Sequence, residues 1–235
     1  MRTLAVIPAR YGSTRFPGKP LVEIGGISMI RRVYEQAEKA NIFADIIVAT
    51  DDARIYDHVI QFGGHAMMTE PQHQSGTDRI GEVVNSISVS FDTVFNIQGD
   101  EPFIQPEQLQ LLYGAFAQPH IQIATLVKKI TNDSEIQNPN CVKVTFDHFG
   151  RALYFSRSAI PYARNTTAHY FRHIGLYAYR TETLQQLVRL KPTALEQAES
   201  LEQLRWLENG YAIHVLETQL ETIGIDTPED LKRVQ

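Results

Sequence analysis

The chain has 235 residues, 43% of them apolar, which is enough for one large domain or for a core domain with a smaller appendage. A formal net charge of −5 argues against general binding to nucleic acid or to an anionic membrane surface. Cys141 is the only cysteine, so an intrachain disulfide is excluded, and no apolar run reaches the roughly 18–20 residues of a membrane span. The N-terminus enters a strand at once, which predicts no signal peptide and a soluble, cytoplasmic protein.

Residues 3–8 read as a short buried strand ending at Pro8. The loop behind it delivers Arg10, Arg15 and Lys19, with Gly12 and Gly18 between them. Three cations on a bendable loop at a strand end form an anion trap, and the glycines let successive N–H groups approach the anion. The expected anion is a nucleoside triphosphate. The loop is not a Walker A loop: five residues separate the glycines, and Lys19 is followed by Pro20 instead of a hydroxyl. The phosphates are therefore expected to be wrapped by an extended loop.

A helix is predicted from Ser28 to Ala40, with Ile30, Val33, Tyr34 and Ala37 on one face. A strand at 45–50, a helix at 53–62 stopped by Gly63 and Gly64, and a short strand at 65–69 follow. Asp51 and Asp52 read as cap residues. The polar turn 73–79 leads into a helix from Thr77, its expected N-cap, to Ser86. Ser75, Gly76 and the helix N–H groups are candidates for holding a nucleotide, and Arg79 for meeting phosphate. A strand at 92–97 stops at Gln98-Gly-Asp-Glu-Pro102, and a helix occupies 105–116. This alternation predicts an α/β fold with a mainly parallel sheet flanked by helices.

From 122 the character changes. Strands at 122–130, 142–146, 152–155 and 170–179 have little helix between them, which predicts a smaller mixed or antiparallel sheet inserted in the core fold. Cys141 reads as a core or half-buried thiol opening one of these strands. Helices return at 182–190 and 200–209, a strand at 212–217, and a last helix behind Thr227-Pro228, with a hydroxyl N-cap and proline at N1. The chain is expected to be a single domain over 1–235, with the insertion at about 120–180.

Asp100 follows a buried strand at the carboxyl edge of the sheet, where open parallel sheets place ligands. Asp226 repeats the arrangement before the last helix. Two carboxylates of this kind with a polyphosphate loop suggest Mg²⁺, which takes one or two carboxylates with phosphate oxygens and water. As isolated residues, both also fit turn and cap roles.

The opening stretch Ile7-Pro-Ala-Arg-Tyr-Gly-Ser-Thr-Arg-Phe-Pro-Gly-Lys-Pro-Leu21 closely resembles that of the 3-deoxy-manno-octulosonate cytidylyltransferase (CMP-Kdo synthetase) family. So do the segments at 48–52, 73–79, 96–102, 138–144, 152–161, 171–179, 201–205 and 224–231, in order along nearly the whole chain. The resemblance implies a nucleotide-diphospho-sugar transferase-like fold and the reaction CTP + Kdo → CMP-Kdo + diphosphate, serving lipopolysaccharide biosynthesis. It further implies Arg10, Ser13, Arg15 and Lys19 on the triphosphate, and Ser75, Arg79 and Gln98 around the nucleotide. Asp100 and Asp226 would bind Mg²⁺, and Arg157, His173, Tyr177, Glu202 and Gln203 would contact the acid sugar. Arg15, Lys19, Asp100 and Asp226 would carry the chemistry, and the insertion would cover the sugar and build a homodimer. The segment 162–170 is shorter than in many relatives, which leaves 8-amino-Kdo or a sialic acid as an alternative substrate. A binding protein with the fold but no turnover would need a damaged metal site, and both aspartates are present.

Overall fold

The computed structural model describes all residues except 13–15, 74, 166, 222, 223, 226, 233 and 235. Two compact units are formed, one by Met1–Gln110 with Glu221–Gln235, the other by Leu111–Leu220.

The first unit is built on β1 (Thr3–Ala9). Leu4, Ala5, Val6 and Ile7 have no exposed surface, as expected for a strand covered on both faces of a parallel sheet. A 3₁₀ turn at Lys19–Leu21 leads to a small hairpin, β2 (Glu23–Ile24) and β3 (Ile27–Ser28). Its turn is Gly25-Gly26, both with positive φ (57° and 77°), a conformation that glycine adopts without a Cβ penalty. α1 (Met29–Lys39) is capped by Ser28, whose hydroxyl accepts from Arg31 N, and it buries Met29, Ile30, Val33, Tyr34 and Ala37 along one stripe.

β4 (Asp45–Thr50), α2 (Ala53–Gln61), β5 (His65–Met68), α3 (Gly76–Ser86) and β6 (Thr93–Asn96) continue the alternation. β1 pairs in parallel with both β4 and β6, and β4 pairs in parallel with β5, giving the order β6-β1-β4-β5. Asp52 caps α2 through Arg54 N at 3.0 Å. The cap of α3 is Ser75 and not Thr77: Ser75 Oγ accepts from Asp78 N, and the Asp78 carboxylate accepts from Ser75 N, which forms a capping box two residues earlier than expected. α4 (Pro106–Ala115) carries the chain across the unit boundary.

The second unit holds β7 (Ile123–Lys129), α5 (Asp133–Gln137), β8 (Lys143–Phe146), β9 (Ala152–Ser156), β10 (Phe171–Arg180), α6 (Thr181–Leu187), α7 (Ala194–Glu199), α8 (Gln203–Glu208) and β11 (Ile213–Glu217). β10 is antiparallel to β7 and β8, β8 is antiparallel to β9, and β11 is parallel to β7. The strands of this unit pair in a mixed pattern, and the unit spans Leu111–Leu220. The chain re-enters the first unit at Glu221 and ends in α9 (Pro228–Lys232), with Thr227 Oγ1 accepting from Asp230 N at 3.2 Å.

Candidate active site

Arg10 stands exposed at the end of β1. The loop after it is closed by Gly18 N donating to Tyr11 O at 2.9 Å. Gly18 has φ 71°, and a Cβ there would meet the Tyr11 ring at 3.1 Å, so glycine is required twice over. The Arg54 guanidinium covers the same ring at 3.3 Å and is held in turn by the Asp52 carboxylate at 2.6 Å.

The loop brings Lys19 to Asp100: Nζ lies 2.6 Å from Oδ2. Gly99, just before Asp100, lies against Pro8; a Cβ there would meet Pro8 O at 3.1 Å. Gly76, at the start of α3, also packs on Pro8; a Cβ there would meet Pro8 Cγ at 3.3 Å. The cationic loop, the α3 N-terminus and the turn after β6 thus converge on the end of β1, as the sequence expects for a nucleotide site at the carboxyl edge of a parallel sheet. Ile225 N donates to Asp100 O at 2.9 Å, which ties the chain neighbour of Asp226 to the same turn. Ser13, Arg15 and Asp226 themselves lie outside the described residues.

The remaining nucleotide-side candidates have partners within the unit. Ser75 uses its hydroxyl to cap α3. Arg79 is buried; its guanidinium donates to Thr69 Oγ1 and lies 3.2 Å from Asp51 Oδ2. Gln98 donates to Asn96 Oδ1 at 3.2 Å. Asp51, which reads as a cap in the sequence, is instead the counter-ion of Arg79.

In the second unit, β10 carries His173 and Tyr177. Their spacing along a regular strand already favours one face, and a register shift between Ile174 and Tyr177 then draws them together. His173 pairs with Val127 and Tyr177 with Thr125, only two residues apart on β7. Their rings are 5.3 Å apart. His173 Nε2 lies 3.1 Å from Thr125 Oγ1, whose own proton is within reach of Leu176 O at 2.8 Å. Burial pushes the His173 imidazole down from 6.5 to about 3, so the ring is neutral at pH 7. Burial raises the Tyr177 phenol well above 10, helped by the neighbouring Tyr179 and Glu202.

Gln203 and Trp206 sit one turn apart on α8, both buried. The Trp206 ring meets Tyr177 edge-on at 5.1 Å. Gln203 Nε2 and Trp206 Nε1 have no hydrogen-bond partner among the described residues. Buried donors left unpaired are costly, and a ligand or water that accepts from them relieves that cost. Arg157 directs its guanidinium to Glu199 O at 2.8 Å and Pro139 O at 3.0 Å. Thr125, Trp206 and Glu199 were not singled out from the sequence, because their roles come from neighbours far along the chain.

Among the described residues, no group of three or more His, Cys, Asp or Glu side chains forms a metal cluster, and no helix is long and apolar enough to cross a membrane. Residues 4–222 match the cytidylyltransferase family model. The 3-deoxy-manno-octulosonate cytidylyltransferase of Bacteroides thetaiotaomicron is 54% identical, covering 100% of this chain and 97% of that protein. The protein of the same name from Cytophaga hutchinsonii is 52% identical over 98% of this chain and 95% of its own length. A solved CMP:2-keto-3-deoxy-manno-octonic acid synthetase complexed with CTP superposes with a TM-score of 0.94 at 46% identity, covering 100% of this chain and 97% of that one. The chain therefore belongs to the cytidylyltransferase family and, within it, to the 3-deoxy-manno-octulosonate cytidylyltransferases.

Proposed function

We propose that the protein transfers the cytidylyl group of CTP to Kdo, giving CMP-Kdo and diphosphate for lipopolysaccharide biosynthesis. The full-length likeness to a synthetase complexed with CTP carries this reading. The anomeric hydroxyl of the sugar attacks the α-phosphorus, the bond to the β-phosphate oxygen breaks, and diphosphate leaves. Such a transfer relies on positioning and charge neutralisation, and needs no nucleophile from the protein.

Arg10, Ser13, Arg15 and Lys19 hold the triphosphate, and Arg15 and Lys19 offset the charge that develops on diphosphate. Gln98 and the α3 N-terminus take the nucleoside side. There Ser75 caps the helix, and Arg79, anchored on Asp51 and Thr69, fixes the turn. In the second unit, Arg157, His173, Tyr177, Glu202 and Gln203 contact the sugar. His173 acts as a neutral hydrogen-bonding ring, in keeping with its depressed pKa.

The residues fit Mg²⁺. Asp100 is a part-exposed carboxylate at the sheet edge that already accepts a cation, the Lys19 ammonium, at 2.6 Å. Asp100 and Asp226 would hold the metal, with phosphate oxygens and water completing the octahedron. When bound, Mg²⁺ neutralises phosphate charge and lowers the pKa of the attacking hydroxyl. We further propose a cytoplasmic homodimer; the exposed Phe149 and Leu153 on the β8–β9 hairpin, 80% and 61% accessible, support a covered face in the second unit.

Product analysis by ³¹P NMR tests the reaction. CTP with Kdo and Mg²⁺ should give a sugar–CMP phosphodiester and diphosphate in equal amounts. Release of free CMP with no sugar adduct would contradict it.

A further inference from the structure

The segment 138–144, one of those that resemble the family, has no part in the chemistry described so far, yet it holds a fully buried lysine. Lys143 opens β8 with no exposed surface. Its ammonium donates to three backbone carbonyls: Asn138 O at 2.9 Å, Cys141 O at 2.7 Å and Arg157 O at 2.5 Å. All three N–H donors are thereby used, and burial pushes its pKa down. These partners are backbone dipoles, not a carboxylate. A charge so buried is costly to keep.

β8 lies between the strands that carry the sugar-side residues. Lys143 pairs with Ser156 on β9 and with Arg172 on β10, and the preceding Val142 O accepts from His173 N at 2.8 Å. The carbonyl of Arg157 is itself one of the three that the ammonium binds. The Arg157 guanidinium reaches back to Pro139 O in the turn that Lys143 also gathers. Glu199 closes the other side: its carboxylate accepts from Ser156 Oγ at 2.6 Å and from Arg157 N at 2.9 Å.

We propose that Lys143 is a positioning residue for the acid-sugar half of the site: its ammonium ties the 138–141 turn to the backbone of Arg157, and with Glu199 it sets where the Arg157 guanidinium stands. This rests on the assignment of Arg157 to the sugar. Lys143 does not touch substrate; it acts through Arg157.

The test is diphosphate release by the full chain with CTP, Kdo and Mg²⁺, with each substrate varied against the other at saturation. Lys143→Met keeps the apolar stem and removes the ammonium. It should raise the KM for Kdo by about tenfold or more, the scale of a hydrogen bond involving a charged group, while the KM for CTP changes less than about twofold. Glu199→Gln, which spares the buried lysine, should shift the same KM in the same direction, and it decides the matter if Lys143→Met does not fold. Equal rises in both KM values, or a lower melting temperature with both KM values unchanged, would mean a purely structural lysine and overturn the proposal. Arg157→Ala separates the two layers. If it raises the Kdo KM while the other two variants do not, the sugar assignment stands and the positioning role falls. If Arg157→Ala leaves the Kdo KM unchanged, both fall.

Discussion

Lys19 Nζ and Asp100 Oδ2 are 2.6 Å apart although 81 residues separate them in sequence. The ammonium belongs to the cationic loop and the carboxylate to the turn after β6, so one contact joins the group expected to hold the triphosphate to the group expected to hold the metal. Asp100→Asn keeps the size and loses the charge that a hard cation needs. Turnover should fall by at least about 10²-fold with the fold intact, and Asp226→Asn should behave alike. Diphosphate release at saturating substrates, with a circular-dichroism melt as control, measures this. Near-normal turnover in both would make them turn residues.

Arg79 and Asp51 form a largely buried pair, with side chains 5% and 20% exposed. Removing one partner leaves the other charged and desolvated. Arg79→Met should cost on the order of 3 kcal/mol of stability. Urea unfolding gives the value; a change below about 0.5 kcal/mol, typical of a surface site, would show that Arg79 is not an anchor.

The His173 imidazole titrates at about 3 in the folded chain against an ordinary 6.5. As pH falls through about 6.5 the unfolded chain binds a proton that the folded ring refuses. The stability this ring contributes is therefore complete above pH 6.5 and is lost as pH falls toward 3, with a limiting slope of about 1.4 kcal/mol per pH unit. His214, lowered by burial first and then by His120 and Arg151, adds in the same direction. Urea midpoints between pH 7 and 5 should fall more steeply for the natural chain than for His173→Asn. Equal slopes would mean that the ring titrates normally.

The two substrates should separate genetically. Arg10→Ala should chiefly weaken the use of CTP, and His173→Ala should chiefly raise the requirement for Kdo, each by roughly ten- to a hundredfold for the loss of one hydrogen bond involving a charged group. Full kinetics for each variant read the split. Weakened CTP use alone in both variants would remove His173 from the sugar side.

Most of the α/β frame could be read from the chain, because its signals are local. The apolar run at 4–7 and the 3.6-residue stripe of α1 each name their own burial. Three short elements were missed although their signals are present: Gly25-Gly26 between Ile24 and Ile27, Asn132 capping α5, and Glu196, whose carboxylate accepts from Thr193 N at the start of α7. Each is too short for a periodic pattern to register. Ser75 took the cap from Thr77 because the Asp78 carboxylate completes a box only with Ser75. On the nucleotide side, the strand-end glycines and the charges on one loop advertise the site. The sugar-side candidates of the second unit carry no such local signal. Lys143 was given no role from the sequence, because its burial depends on carbonyls at 138, 141 and 157. Arg79 likewise reads as a candidate for phosphate, and its pairing with Asp51, 28 residues earlier, comes only with the fold.

Diphosphate release in reactions that omit one component at a time tests the central claim most directly. Mg²⁺, CTP and Kdo together should be required, with chelation in excess abolishing release and ATP failing to replace CTP. Equal turnover with ATP, or full activity in excess chelator, would contradict a metal-dependent transfer of the cytidylyl group to Kdo.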